Sequence, residues 1–559
     1  MKRIVKILII GTAFLSAGCA DLDETLRTGI TAETYYSTAV GFEDLAEAQY
    51  YPIQVKYGDY NNIWDHGTDI WTYGSGAREY LNSYESGLNP SATSRNWYAI
   101  WVAYFKGINL ANSVIGRADD VVDMSDERKK TLVAEARFLR ALYYDHLVET
   151  HGGVPLNLEE TVGVVTEAYP ATEDEIWKVV KEDLEFAAAN LPVTQSEVGR
   201  ATSGAAKHLL ARVNLTTKNW SEAAKWAKEV IDSKQYSLIA SYYQLWDPYQ
   251  SHSGKGYNAE TIFGLLITPT SGINARDQKS RRFAARVRTV PGLQATFYIG
   301  NEVSRHKPTP FLVHEIFNND PDRTDVPNQW NDERWTTGFK LVWRYNNPKT
   351  LPKGATLGDT AVFLPTEKRF EQMTDAEAAA YSKQHNFRMY RMKDWTTEIW
   401  PSLALKFRMR GDDSPEMSLA ALGDYNPAYF WRTEPIFRLG ETYLIAAEAY
   451  MMMGGAANLD KAAEYFNAIR KRAEVPGTVM PLITPAQLNI DEILNERHRE
   501  LTGEYLTWYD LKRTGKLLER VRKYNKEAAP YIQEYHMLRP IPQEQIDRCT
   551  NEYPQNPGY

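Results

Sequence analysis

Ala134-Glu135-Ala136-Arg137-Phe138-Leu139-Arg140-Ala141-Leu142-Tyr143-Tyr144 is the stretch on which the reading of the fold turns. Between Lys129 and Glu149 the apolar residues fall at Leu132, Ala136, Leu139, Tyr143 and Leu147. That spacing of three or four draws one stripe down an α-helix. Gly152-Gly153-Val154-Pro155 stops it. A second helix is predicted from Thr172 to Asn190, opened by a Thr172/Glu175 capping pair and stopped by Pro192. An alanine-rich helix from Gly204 to Thr217 follows, then one opened by Asn219-Trp220 that runs to Ser233. The same texture returns late in the chain, over Pro435–Met453, Asp460–Ala473 and Asp491–Thr502.

Helices in pairs, with alanines where they touch, resemble tetratricopeptide repeats, although the ~34-residue period is loose. The fold class expected is therefore mainly α: tetratricopeptide-like helix pairs with an irregular insert. The helical regions span 31–240 and 431–559. Residues 241–430, rich in Pro, Gly, Asn and aromatics, form a subdomain of loops and short strands such as Ile262-Phe263-Gly264-Leu265-Leu266. Residues 58–96 read as a long loop.

The 559 residues carry 64 basic and 72 acidic side chains, a formal charge of −8, which argues against a nucleic-acid binder. Two cysteines, Cys19 and Cys549, exclude a disulfide scaffold and a cysteine-built zinc site. Lys2, Arg3 and Lys6 followed by the apolar run Ile7–Leu15 read as a secretory signal, too short to span a bilayer. Leu15-Ser16-Ala17-Gly18-Cys19 resembles a bacterial lipobox, with Ser16 where leucine is usual. Residues 1–18 are expected to be a signal peptide, Cys19 a lipid anchor, and 19–30, with Asp21, Asp23 and Glu24, an acidic tether.

Nothing in the sequence builds an enzyme. The ten histidines form no H-E-x-x-H motif, and His146, Glu149 and His151 are spaced wrongly for one helix face. There is no G-x-S-x-G elbow and no P-loop; Gly74-Ser75-Gly76 is too short for a dinucleotide fingerprint. No metal or cofactor is expected. Pairs of carboxylates are too abundant to inform.

Motifs along almost the whole chain then resemble the SusD/RagB family. Trp101, Phe105, Ile108, Ala111 and Asn112 match its W-x3-Y-x2-I-x2-A-N helix, with Phe105 for Tyr. The Ala134–Ala141 block, Gly199-Arg200-Ala201-Thr202 and Arg438-Leu439-Gly440-Glu441-Thr442-Tyr443-Leu444-Ile445 follow in family order. Glu496-Arg497, Trp508-Tyr509-Asp510-Leu511, Arg539-Pro540-Ile541-Pro542 and Gln555-Asn556-Pro557-Gly558-Tyr559 close the match. Arg137, Arg140, Glu448, Arg470 and Arg497 are expected to tie helices together as ion pairs.

The resemblance implies a non-catalytic, outer-membrane, surface-exposed lipoprotein. Such a protein captures an oligosaccharide or polysaccharide for a SusC-like TonB-dependent transporter. Some relatives serve peptide uptake, so a RagAB-like peptide lid is one alternative, and a scaffold binding only proteins is another. Residues 50–101 hold 12 Trp or Tyr among 52, against 50 in the 559-residue chain. Flat rings stack on sugar C–H faces, while Asp, Asn, Gln and Arg satisfy hydroxyls. The family draws its glycan platform partly from this region. Trp64, Trp71 and Tyr73 are therefore the candidate stacking rings, and Asp65, Asp69 and Arg78 the candidate hydroxyl partners. The insert offers Trp330, Trp335, Trp343, Trp395, Trp400 and Trp431 as a second source of rings, each read as core ahead of contact.

Overall fold

The computed structural model describes residues 31–59, 64–75, 79–84, 88–92, 97–246, 257–266, 279–294, 303–317, 331–403, 406–407 and 434–559. Cys19, Arg78, Trp330 and Trp431 lie outside them, as do the signal and tether readings. No helix among the described residues is long and apolar enough to cross a membrane.

The body is a stack of helices: α1 (Ala39–Ala48), α2 (Trp97–Arg117), α3 (Asp126–His151), α4 (Glu173–Asn190), α5 (Ser203–Thr216) and α6 (Trp220–Asp232). From α2 onward each packs against the next. The capping pair at Thr172 forms as its sequence implies: Thr172 Oγ1 accepts from the Glu175 backbone, and the Glu175 carboxylate accepts from Thr172. The chain then leaves the stack and returns through β2 (Thr261–Leu265) and β7 (Glu434–Arg438), which pair antiparallel. This pairing delivers α7 (Leu439–Met453) onto α6, so the stack resumes across the insertion. Next come α8 (Ala456–Arg472), α9 (Ile490–Leu501), α10 (Thr507–Arg513) and α11 (Leu517–Tyr524). Helix α8 begins ahead of the expected Asp460, directly after the paired glycines Gly454 and Gly455.

Two further sheets sit outside the stack. Strand β1 (Trp71–Tyr73) pairs antiparallel with β3 (His306–Pro308). Strand β4 (Val342–Arg344) pairs antiparallel with β5 (Thr360–Phe363), which pairs parallel with β6 (Arg388–Met389).

The expected ion pairs do join helices. Arg140 on α3 forks onto Asp183 of α4 at 2.8 and 2.9 Å while donating to Asn112 of α2. Arg137 lies 3.7 Å from the same carboxylate. Arg470 of α8 reaches Glu496 of α9 at 3.1 Å, and Arg497 of α9 reaches Asp510 of α10 at 2.7 Å. Glu448 of α7 accepts from Arg513 at 2.8 Å. Glu441 of α7 accepts from Arg212 of α5 and lies 3.1 Å from His208. A deeper knot of Arg334, Arg438, Arg472, Glu260, Glu496, Glu500 and Glu504 clamps the insertion to the returning helices. Buried pairs of this kind are costly to break, because the surviving partner keeps its charge without solvent.

Candidate functional site

The segment 64–71 is not an external loop: every one of its residues is buried. Trp64 stacks on Tyr509 at 6.0 Å, with the Lys56 ammonium 4.5 Å from its ring. Trp71 packs edge-on to Phe283 at 4.8 Å. Asp69 takes Arg520 at 2.7 Å and His498 at 3.0 Å. Burial alone raises its pKa, but these two partners more than offset that and hold it at about 2. Asp65 has no such hydrogen-bonded partners among the described residues; His306 stands 3.9 Å away, and burial pushes its pKa up to about 7. Asn525 donates to the carbonyls of Thr68 and Trp71, and Tyr84 to that of Gly67.

These placements correct four of the expected contacts. Trp64, Asp65, Asp69 and Trp71 are fully enclosed, so none can stack on or hydrogen-bond to a solvent-borne sugar. Their rings and charges anchor the segment to α9, α10 and α11. Tyr73 is half-buried at the end of β1, opposite His306. In the insert, Trp335, Trp343 and Trp400 are core residues and Trp395 is half-buried.

Accessible rings gather elsewhere. An open groove of about 600 Å³ is lined on one side by Tyr84, Leu88, Asn89 and Pro90 and on the other by the last stretch of the chain. Tyr531 and Tyr535, 41% and 37% exposed, stand along it, with Tyr559 half-buried in its wall. Leu88, Pro90 and Pro530 add apolar wall, and Asn89 and Gln533 add amides.

Local structure fixes these rings. A 3₁₀ turn, Glu534–Met537, carries Tyr535 and His536. Tyr535 meets Tyr559 edge-on at 5.1 Å, and His536 lies 4.8 Å from Tyr84 and 4.1 Å from Tyr535. The segment that brings Tyr559 here is pinned at several points. Asn551 exchanges two bonds with the Ala168 backbone, Gln555 two with Ile541, and Asn556 donates to the carbonyls of His151 and Arg539. The Tyr559 hydroxyl donates to the Leu538 carbonyl at 2.8 Å. Gly558 has φ of +92°, and a Cβ there would lie 2.4 Å from the Tyr535 ring. Only glycine lets the chain lie flat against that ring.

Partly exposed tyrosines with neutral amides beside them can hold a flat, hydroxyl-rich molecule without chemistry on it. Among the described residues no cluster of three or more His, Cys, Asp or Glu is arranged to hold a metal ion. The sequence reading missed Tyr531, Tyr535, Tyr559, Asn89 and Gln533 as a group. They are joined only by folding, and the available signal was the tyrosine and proline content of 530–559.

Comparison with known proteins agrees with the architecture. The SusD family model matches residues 425–559, and the family described as starch-binding associating with outer membrane matches 41–215. SusD-like protein P2 of Formosa agariphila is 26% identical over the whole of both chains. Starch-binding protein SusD of Bacteroides thetaiotaomicron is 24% identical, over 84% of this chain and 80% of its own. A solved laminarin binding SusD-like protein superposes with a TM-score of 0.67 at 21% identity, covering 93% of this chain and all of that one. Surface glycan-binding protein A from Bacteroides thetaiotaomicron, in complex with laminarihexaose, superposes at 0.64 and 19% identity, over 93% of this chain and 99% of its own. With SusD family models matched over 41–215 and 425–559 and a SusD-like relative along its whole length, the chain is similar throughout to the SusD/RagB family.

Proposed function

We propose that this protein is a non-catalytic glycan-binding lipoprotein of the outer-membrane surface, and that the Tyr531–Tyr535 groove is where it holds its ligand. The observation that carries the reading is the exposed pair of tyrosines over an open groove, in a family with relatives named for starch and laminarin binding. Sugar rings would lie on Tyr531 and Tyr535, and their hydroxyls would bond to Asn89 and Gln533. Cys19 is the proposed lipid anchor. A SusC-like TonB-dependent transporter is the proposed partner that receives the captured oligosaccharide.

Isothermal titration of the full chain against a panel of oligosaccharides and peptides tests this. Saturable binding of one glycan class, weakened about tenfold or more by Tyr531→Ala or Tyr535→Ala, supports it; tenfold corresponds to ~1.4 kcal/mol. Saturable heat with peptides alone, or glycan binding indifferent to both substitutions, refutes it.

A further inference from the structure

The two sides of the groove come from distant parts of the chain, and one buried ring touches both. Tyr84 stands with Leu88, Asn89 and Pro90; Tyr535 stands with Tyr531 and Gln533. The His536 ring is 4.8 Å from that of Tyr84, tilted by 41°, and 4.1 Å from that of Tyr535, tilted by 48°. It is 1% exposed, so it cannot itself meet a sugar.

The Tyr84 side is tied down. Its hydroxyl donates to the Gly67 carbonyl at 2.8 Å, inside the segment that Asn525 and Arg520 anchor. The Tyr535 side is the 3₁₀ turn Glu534–Met537, and His536 is the one buried side chain of that turn. A single 3₁₀ turn has little stability of its own. Here His536 closes it twice: the Gln533 backbone N–H donates to Nδ1 at 2.9 Å, and the His536 N–H donates to the Gln533 carbonyl at 3.1 Å. Nδ1 can accept only while it carries no proton. Burial, helped by the Arg539 guanidinium, draws the pKa down to about 3, so the acceptor is present at neutral pH.

We infer that His536 is the positioning residue of the groove: it braces the Tyr535 ring against the fixed Tyr84 and closes the turn that presents Tyr535 to the ligand. This rests on the groove being the glycan site.

The test uses His536→Phe and His536→Asn in the full chain, each in the wild-type and Tyr535→Ala backgrounds. Phenylalanine keeps a ring against Tyr84 but gives the Gln533 N–H no acceptor; asparagine offers an acceptor but no ring. All are titrated with laminarihexaose, maltohexaose, xylohexaose, mannohexaose and oligogalacturonate, after urea unfolding shows which are folded under those conditions. Either variant suffices should the other not fold. Each should weaken the binding shown by the wild type by about threefold or more. Once Tyr535 is alanine, the same change should cost less than about twofold, because no ring is left to misplace. A role in stability alone would lower the urea midpoint without this dependence on Tyr535. Wild-type affinity in a folded variant, or an equal loss in both backgrounds, overturns the positioning inference while the groove reading stands. If no glycan binds, or if Tyr531→Ala and Tyr535→Ala both bind as the wild type does, the groove reading fails and the inference with it.

Discussion

Replacing Asp69 with asparagine separates an anchor from a ligand contact. In the structure Asp69 is fully buried and accepts from Arg520 and His498. The Asp69→Asn side chain would keep the shape but leave both basic groups facing a neutral amide. Removing one member of a buried pair costs about 3–5 kcal/mol. Arg520 retains Asp491 at 2.9 Å and Asn495 at 2.8 Å, so the loss should sit near the lower end. The pH dependence carries an independent sign. The folded pKa of about 2 lies below the ordinary carboxylate value of 3.8. Asp69 therefore contributes stability that is fully present above pH ~4 and is lost as pH falls toward 2, a contribution of about 2–3 kcal/mol. Urea unfolding followed by circular dichroism at pH 7 and at the lowest pH where the protein stays folded measures both. Asp69→Asn should lower stability at pH 7 by about 3 kcal/mol, with less difference in acid, and leave glycan affinity within about twofold. Wild-type stability together with lost glycan binding would refute the anchoring argument and restore Asp69 as a ligand contact.

Asp65 titrates in the opposite sense. Its folded pKa, raised by burial to about 7, means that the native state holds a proton the unfolded chain has released. Stability should fall as pH rises from ~4 to ~7, and Asp65→Asn should be stabilising by a few kcal/mol at pH ~8 and neutral at pH ~4 in urea titrations. Glu441→Gln should destabilise by about 3–5 kcal/mol, because Arg212 and His208 lose their shared carboxylate, and calorimetry should show a lower unfolding temperature. Gly558→Ala should displace the Tyr535 ring and weaken glycan retention in affinity gels severalfold; unchanged retention would show that ring position does not matter.

What the sequence made legible was whatever repeats at helical spacing. Arg140, Glu448, Arg470 and Arg497 recur on helix faces, and their partners lie on neighbouring helices, so pattern alone exposes them. Asp69 was misread because its local surroundings, Trp64 to Tyr73, have the composition a sugar platform needs. Its true partner, Arg520, stands 451 residues along the chain. Rings and carboxylates serve a core anchor and a ligand shelf equally well, and only burial distinguishes the two. The groove was invisible for a related reason. Asn89 and Tyr535 come from opposite ends of the sequence, so no single stretch has the aromatic density that marked residues 50–101.

The most direct measurement is a crystal structure of the full chain with an oligosaccharide identified by titration. The sugar should lie across Tyr531 and Tyr535, with hydroxyls bonded to Asn89 or Gln533. Density for it elsewhere, with the groove empty at saturating ligand, would contradict the central claim.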